Sequence, residues 1–177
     1  MTKSFKALSV LLSYPSVEMQ QAVPEIADIL TNEGVLTAKA VKAMQPLLEY
    51  VQQKDIYEVQ ENFVLLFDRS RTLSLNLFEH VHGESRDRGP AMVDLLETYR
   101  AGGFDLVSTE LPDHLPILLE FLSTRPMAEA KELLNDAGHI LAALAERLQR
   151  RESHYAALLA GLAEFAGVKS SSAMGKE

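Results

Sequence analysis

The densest group of potentially reactive side chains in the sequence is the run Phe78-Glu79-His80-Val81-His82-Gly83-Glu84. Closely spaced imidazoles and carboxylates are the ligands of zinc and related ions, so the first chemistry to weigh is metal-dependent hydrolysis through His80, His82 and Glu84. His80 and Glu84 would share one helical face, but Gly83 is expected to break the helix between them. All three would share a face only in an extended chain. The His-Glu-x-x-His spacing that sets two histidines on one helical face is missing. A helix end at which these groups cap the backbone explains the run without a metal, and metal-dependent hydrolysis is kept as the alternative.

Arginines form the second set: Arg69 and Arg71, then Glu84-Ser85-Arg86-Asp87-Arg88-Gly89. Guanidinium pairs bidentately with carboxylate, so alternating signs at this spacing suggest a network pinning a turn to its neighbours. Phosphate binding is the competing use. No Gly-x-x-x-x-Gly-Lys loop or glycine-rich strand-to-helix turn supports it, although contact of Arg69, Arg86 and Arg88 with a nucleotide or another phosphate-bearing ligand stays open.

The third set is Glu110-Leu111-Pro112-Asp113-His114-Leu115-Pro116, running on to Glu120 and Phe121. Two prolines around an Asp-His pair fix the backbone near a helix start. An Asp-His dyad would need a nucleophile, and no Gly-x-Ser-x-Gly elbow supplies one. A capped helix start is the plain reading. The functional one is a peptide-docking edge, with Glu110, Asp113 and Glu120 offering acceptors to a basic residue and Leu115 and Leu118 an apolar floor. The aromatic and leucine stripe Tyr57, Phe63, Phe67, Leu75, Leu77 and Phe78 reads mostly as core.

The elements that position these groups all show helical spacing. Phe5, Leu8, Leu11 and Leu12 form a stripe that Pro15 ends. Val17 to Leu30 continues, with Pro24 able to split it, and Gly34 closes it. Val35 to Gln53 follows, Pro46 predicting a kink or a junction. Asp55 is expected to cap the next helix, with Glu58 at the reciprocal position. Leu73 to Val81 is expected to be a buried helix and Gly83 to Gly89 a polar turn. Pro90 then opens a helix that buries Met92, Leu95, Leu96 and Tyr99 and stops at Gly102-Gly103. A helix from about Asp113 to Ser123 follows, with Pro116 in its first turn, then one long helix from Pro126 to about Arg151 and a last one near His154 to Ala166. No alternating run calls for a strand. The expectation is an all-α, single-domain multi-helix bundle over 1–168, with a polar, frayed tail over 169–177.

The chain has 177 residues, 47% of them hydrophobic, enough for a substantial core. No apolar stretch approaches the roughly 20 residues that cross a bilayer, and no cleavage site follows the apolar N-terminal run, which leads to Tyr14-Pro15. Cysteine is absent, which removes disulfides, thiolate metal sites and a cysteine nucleophile and suits a reducing compartment. A net charge of −8 argues against nucleic acid. It favours solubility, and in a partner it favours basic segments.

Several of these stretches together resemble the NarJ-type molybdenum cofactor assembly chaperones of respiratory nitrate reductase, within the TorD/DmsD group of redox-enzyme chaperones. The carrying residues are Leu66-Phe67-Asp68-Arg69-Ser70-Arg71, Ser74 to Gly89, Ala91 to Leu96, Glu110 to Pro116 and Leu119 to Ser123, with weaker similarity at 140–144 and 148–153. The unbroken Phe78-to-Gly89 run is the most specific. The first fifty residues match in pattern only, through Leu11-Leu12-Ser13-Tyr14-Pro15.

The resemblance implies an all-helical, non-catalytic cytoplasmic chaperone with no bound cofactor. Its partner would be the catalytic, molybdenum subunit of nitrate reductase, held by an N-terminal segment resembling a twin-arginine leader until the cofactor is inserted and before membrane attachment. Proteins of molybdenum cofactor biosynthesis are further implied partners; nucleic acid and membrane insertion are not. The wider group associates leader binding with residues matching Glu110, Pro112, Asp113 and His114, to which Leu115, Leu118 and Glu120 are added as neighbours. The motif residues Phe67, Asp68, Arg69, Arg71, Glu79, His80, His82, Glu84, Arg86, Asp87 and Arg88 are expected to form a structural network. The client groove is expected where the Glu110-to-Phe121 helix meets the Leu65-to-Phe78 region. Members of the family often carry a longer acidic C-terminal extension; this chain stops at Glu177, so any function of such an extension is expected to be missing.

Overall fold

A computed structural model describes residues 2–83 and 85–168 of the chain. Glu84 and the tail 169–177 lie outside the described residues, and so do the readings made of them above. Within the described residues the architecture is all-α, with no strand beyond one isolated antiparallel bridge between Asn76 and His114.

Helix α1 (Ser4–Leu11) forms the centre, because Phe5, Leu8, Leu11 and the following Leu12 are all buried. It packs against α8 (Leu115–Leu122) and α2 (Val17–Glu33). The Ser16 side chain caps α2 by accepting from the Met19 amide at 3.1 Å. The helix runs unbroken through Pro24, where the sequence allowed a split. Pro24 faces solvent, so water can satisfy the carbonyl its ring leaves unpaired. Gly34 ends α2 in the left-handed region at φ 66°.

Of the two outcomes Pro46 allowed, the junction is found: α3 (Ala38–Ala43) gives way at Met44 to α4 (Gln45–Gln53), with the proline in the first turn of α4. Asp55 caps α5 (Ile56–Phe63) by accepting from the Tyr57 amide at 3.0 Å. α5 continues into a π-helical turn, Val64–Asp68.

Two expectations are corrected. Leu73 to Val81 is not one helix but a 3-10 turn (Arg71–Leu73), an extended stretch and a single helical turn, α6 (Phe78–Val81). The chain is extended here because Leu75 and Leu77 bond to the backbone around Asp113 rather than to their own turn. The long helix from Pro126 is two helices, α9 (Met127–Asp136) and α10 (Gly138–Arg150). They meet where the end of α11 (Ala156–Phe165) crosses: the Asn135 side chain donates through Nδ2 to the Ala166 carbonyl at 2.8 Å. A Cβ on Gly138 would lie 2.7 Å from Val168, so the crossing is close.

Helix α7 (Arg88–Ala101) sits at the margin. Of the four residues expected to bury it, Tyr99 alone is fully enclosed, and Met92, Leu95 and Leu96 are half-buried. Tyr99, Phe104 and Phe121 form an aromatic cluster with centroids 4.8–5.5 Å apart. That cluster anchors α7 to α8.

Candidate functional site

The two motif stretches, widely separated in sequence, are interlocked. The Leu77 amide donates to the Asp113 carbonyl at 3.2 Å and the Leu115 amide to the Leu75 carbonyl at 2.8 Å, a short antiparallel clasp. Inside it, Asp113 Oδ2 accepts from the Phe78 amide at 2.8 Å. His114 Nδ1 lies 3.0 Å from Asn76 Oδ1. Tyr99 donates its hydroxyl to the Pro112 carbonyl at 2.6 Å, fixing the approach to the clasp. Ser9 in α1 does the same for the other end, donating to the Pro116 carbonyl at 2.6 Å.

Beside this clasp opens a cavity of about 420 Å³, between the end of α1, the α5–π element, the extended 74–76 stretch and the start of α8. Its apolar wall comes from Leu12, Phe63, Phe67, Leu75, Pro116 and Ile117, with Tyr14 at the mouth. Its polar lining includes Asp68, Glu110, His114 and Glu120, together with serines and Asn76. Among the described residues no Lys or Arg lines it.

The π turn explains how two neighbours both reach this cavity. The Arg69 amide bonds to the Val64 carbonyl, five residues back. That wider turn keeps Asp68 on the side presented by Phe63 and Phe67, whereas an α-helical step would rotate it away. Phe63 and Phe67 form a tilted pair at 4.9 Å and meet Tyr155 edge-on, 6.1 and 5.2 Å away, so the wall is backed by the core.

Every charged group on the rim accepts hydrogen bonds. Burial pushes the His114 pKa down, against the upward pull of Glu110, Asp113 and Asp68, so the ring is neutral at pH 7. With Asn76 Oδ1 as acceptor, Nδ1 carries the proton and Nε2 remains an acceptor. Of the carboxylates, Glu120 is paired with Lys6 at 2.7 Å, while Asp68 and Glu110 have no ion-pair partner among the described residues.

The expected docking residues divide accordingly. Glu110, His114 and Glu120 line the cavity. Asp113 is only 1% exposed and turned into the clasp, and Leu115 and Leu118 are buried in the core. The floor expected at Leu115 and Leu118 is instead formed by Pro116 and Ile117, which are largely buried themselves but border the cavity in the first turn of α8. Pro112 contributes its carbonyl to Tyr99. Sequence reasoning missed Tyr14, Asn76 and Ile117. A bulky residue before Pro15 was the available signal for the first.

The arginine–carboxylate network is also corrected. Among the described residues the ion pairs are Lys6–Glu120, Arg125–Glu129 and Arg150–Glu146, and none involves Arg69, Arg71, Arg86 or Arg88. Arg86 and Asp87 project into solvent where α7 begins, and Arg88 reaches the Gly83 carbonyl at 3.4 Å. What ties the motif is hydrogen bonding to Ser74: its hydroxyl donates to Glu79 at 2.7 Å, and its carbonyl lies 2.7 Å from His80 Nε2. A carbonyl accepts, so Nε2 carries the proton and is not free to hold a metal. His82 packs edge-on to Phe78 at 5.4 Å. Among the described residues no three His, Asp or Glu side chains are grouped as a metal site, and Glu84 lies outside them.

Comparison with known proteins fits this arrangement. The family model described as "Nitrate reductase delta subunit" matches residues 33–160. The nitrate reductase molybdenum cofactor assembly chaperone NarJ of Escherichia coli K12 is 47% identical over 151 residues, 85% of this chain and 64% of that protein. The probable chaperone NarW of the same strain is 38% identical over 94% of this chain and 69% of its own length. The probable chaperone NarJ of Bacillus subtilis is 30% identical over 88% and 84%. The match thus spans less than two thirds of the Escherichia coli NarJ relative.

Proposed function

This chain belongs to the nitrate reductase delta subunit family, and from that premise we propose that it is an assembly chaperone, not an enzyme, acting in the cytoplasm. Its client is the molybdenum-containing catalytic subunit of a respiratory nitrate reductase. It holds the N-terminal, leader-like segment of that subunit while the cofactor is inserted and before the enzyme meets the membrane. Proteins of molybdenum cofactor biosynthesis are transient partners in the same step.

One observation carries this reading: the cavity combines an apolar wall with a polar rim whose charged groups are all carboxylates. An amphipathic segment bearing Arg or Lys matches both parts. Its apolar face lies on Phe67, Leu75 and Ile117, and its cation meets Asp68, Glu110 and Nε2 of His114. A cation out of bulk water gains more from such acceptors than one at an open surface. The neutral His114 matters because an imidazolium in the same place would repel the ligand.

Titration calorimetry with a synthetic peptide of the client's N-terminus tests the assignment. Glu110→Gln and Asp68→Asn are each expected to weaken binding about tenfold, the loss of one charge-assisted hydrogen bond. Co-purification with client carrying an intact or deleted N-terminus is expected to succeed only with the former. Equal recovery of both would overturn the reading.

A further inference from the structure

The α5–π element has a second cavity on its other side, of about 310 Å³, bounded by Tyr14, Tyr57, Val64, Leu65 and Arg69, with Glu61 at the edge. Tyr14 belongs to both cavities. Its ring stands edge-on to Phe63 at 6.2 Å and is 56% exposed. The turn that carries it is fixed from below, since Gln60 donates to the Pro15 carbonyl at 2.8 Å. Tyr14 is therefore a held partition between two recesses.

The second recess combines apolar and aromatic side chains with the polar Gln60, Glu61 and Arg69. Tyr57 is 76% exposed and Leu65 44%, and with Val64 they supply the apolar part of its lining from the α5–π element. The two recesses also differ in charge. Asp68, Glu110 and Glu120 surround the first. In the second, Arg69 offsets Glu61, so its rim carries no net charge. A cation gains nothing there that it would not gain more fully next door, whereas an apolar or aromatic side chain gains cover for Tyr57 and Leu65.

We propose that the two recesses are one docking groove divided by Tyr14, and that the second chamber receives an apolar side chain of the same segment whose basic residue occupies the first. This rests on the client-segment reading above and adds what that reading lacks, a determinant of direction. A segment with its cation and its apolar anchor at opposite ends engages both chambers in one orientation only. Tyr14 itself lies against the segment as it passes, presenting ring face to an apolar side chain and hydroxyl to water.

The test uses the full chain and a synthetic peptide of about 20 residues from the N-terminus of a nitrate reductase catalytic subunit, a length that spans ~30 Å as a helix. Its residues are replaced one at a time by alanine. Leu65→Asp and Tyr57→Asp are expected to weaken the parent peptide about tenfold. One apolar peptide position is expected to lose its contribution against Leu65→Asp but keep it against Glu110→Gln; the basic position is expected to do the reverse. Both side chains are exposed, so unchanged circular dichroism and melting serve as the folding control. Binding by Leu65→Asp and Tyr57→Asp equal to the unmodified protein, with Glu110→Gln weakened, overturns the second chamber and leaves the client reading standing. No binding of the parent peptide by the unmodified protein overturns both.

Discussion

Asp113 and Phe78, thirty-five residues apart, are joined by a carboxylate-to-amide hydrogen bond of 2.8 Å, and that bond holds the acceptor rim in place. Asp113 itself is enclosed, and burial pushes its pKa above the usual aspartate value, in spite of the bonds and charges that pull the other way. Its part is to hold His114 and Glu110 where they face the cavity. Asp113→Ala is expected to cost about 1–3 kcal/mol, since the Phe78 amide is left without its acceptor, and to weaken peptide binding with it. Asp113→Asn keeps an acceptor and should restore both. A carboxyl whose folded-state pKa is raised adds stability that is complete below its ordinary value, near 3.8, and is lost as pH rises through the folded value. Against Asp113→Asn, the melting temperature of the natural protein should therefore fall as pH climbs out of the acid range and level off near neutrality. A constant difference between the two across pH 4 to 7 would show that the carboxyl does not titrate with folding.

His114 has the opposite sign. Its pKa is pushed down chiefly by burial, so its contribution to stability is present above the ordinary histidine value, about 6.5, and is lost as pH falls through the folded one. The same protonation places a positive charge beside Asp68 and Glu110, the groups that the proposed function assigns to a cation of the client. Affinity for a basic peptide is expected to drop as pH falls through the lowered folded-state value, and the drop should be much smaller in His114→Gln. An NMR titration that places His114 above the ordinary histidine value would contradict this.

How much of this was legible in the sequence differs between elements. Helical spacing located α1, α2 and α11 closely, because each has a stripe such as Phe5, Leu8 and Leu11 that is buried as its period requires. It misread 73–81, where leucines at alternate positions serve the clasp with Asp113 and no local pattern records a partner so distant in sequence. The split of α9 from α10 was hidden for a similar reason: the cause is the crossing of 166–168 over Gly138. In the site, residue type marked Glu110, His114 and Glu120. It also marked Asp113, Leu115 and Leu118, because type does not reveal which way a side chain turns at a helix start. The π turn that brings Asp68 into the cavity had no signal in the residues themselves.

Lys6 already occupies one of the rim carboxylates. Its ammonium pairs with Glu120 at 2.7 Å, both side chains well exposed, so the pair contributes little to stability, on the order of 0–1 kcal/mol. Removing the lysine frees a third carboxylate at the rim. Lys6→Ala is expected to leave the melting temperature nearly unchanged and to tighten a basic peptide a few-fold at low salt, with the gain fading as ionic strength rises. Calorimetry at two salt concentrations measures both. Weaker binding in Lys6→Ala would mean that the lysine positions Glu120 for the client instead of occupying it.

The paired glycines that end α7 separate packing from backbone strain and show how far the site depends on the core behind it. A Cβ on Gly102 would sit 2.8 Å from Cε1 of Phe121, a ring fully buried between Tyr99 and Phe104 and so unable to yield easily. Gly103 has open space, but its φ of +77° disfavours any side chain. Gly102→Ala is expected to cost about 1–3 kcal/mol by overpacking, and Gly103→Ala about 1–2 kcal/mol by backbone strain. The two stability losses overlap, yet their effects on binding should not. Phe121 lies on α8 beside Glu120 and four residues beyond Ile117, both of which line the cavity. Displacing its ring shifts that wall, whereas strain at Gly103 stays in the loop. Peptide affinity should therefore fall in Gly102→Ala and hold in Gly103→Ala, measured well below both melting transitions. Equal affinities would mean that α8 absorbs the displaced ring without moving the groove.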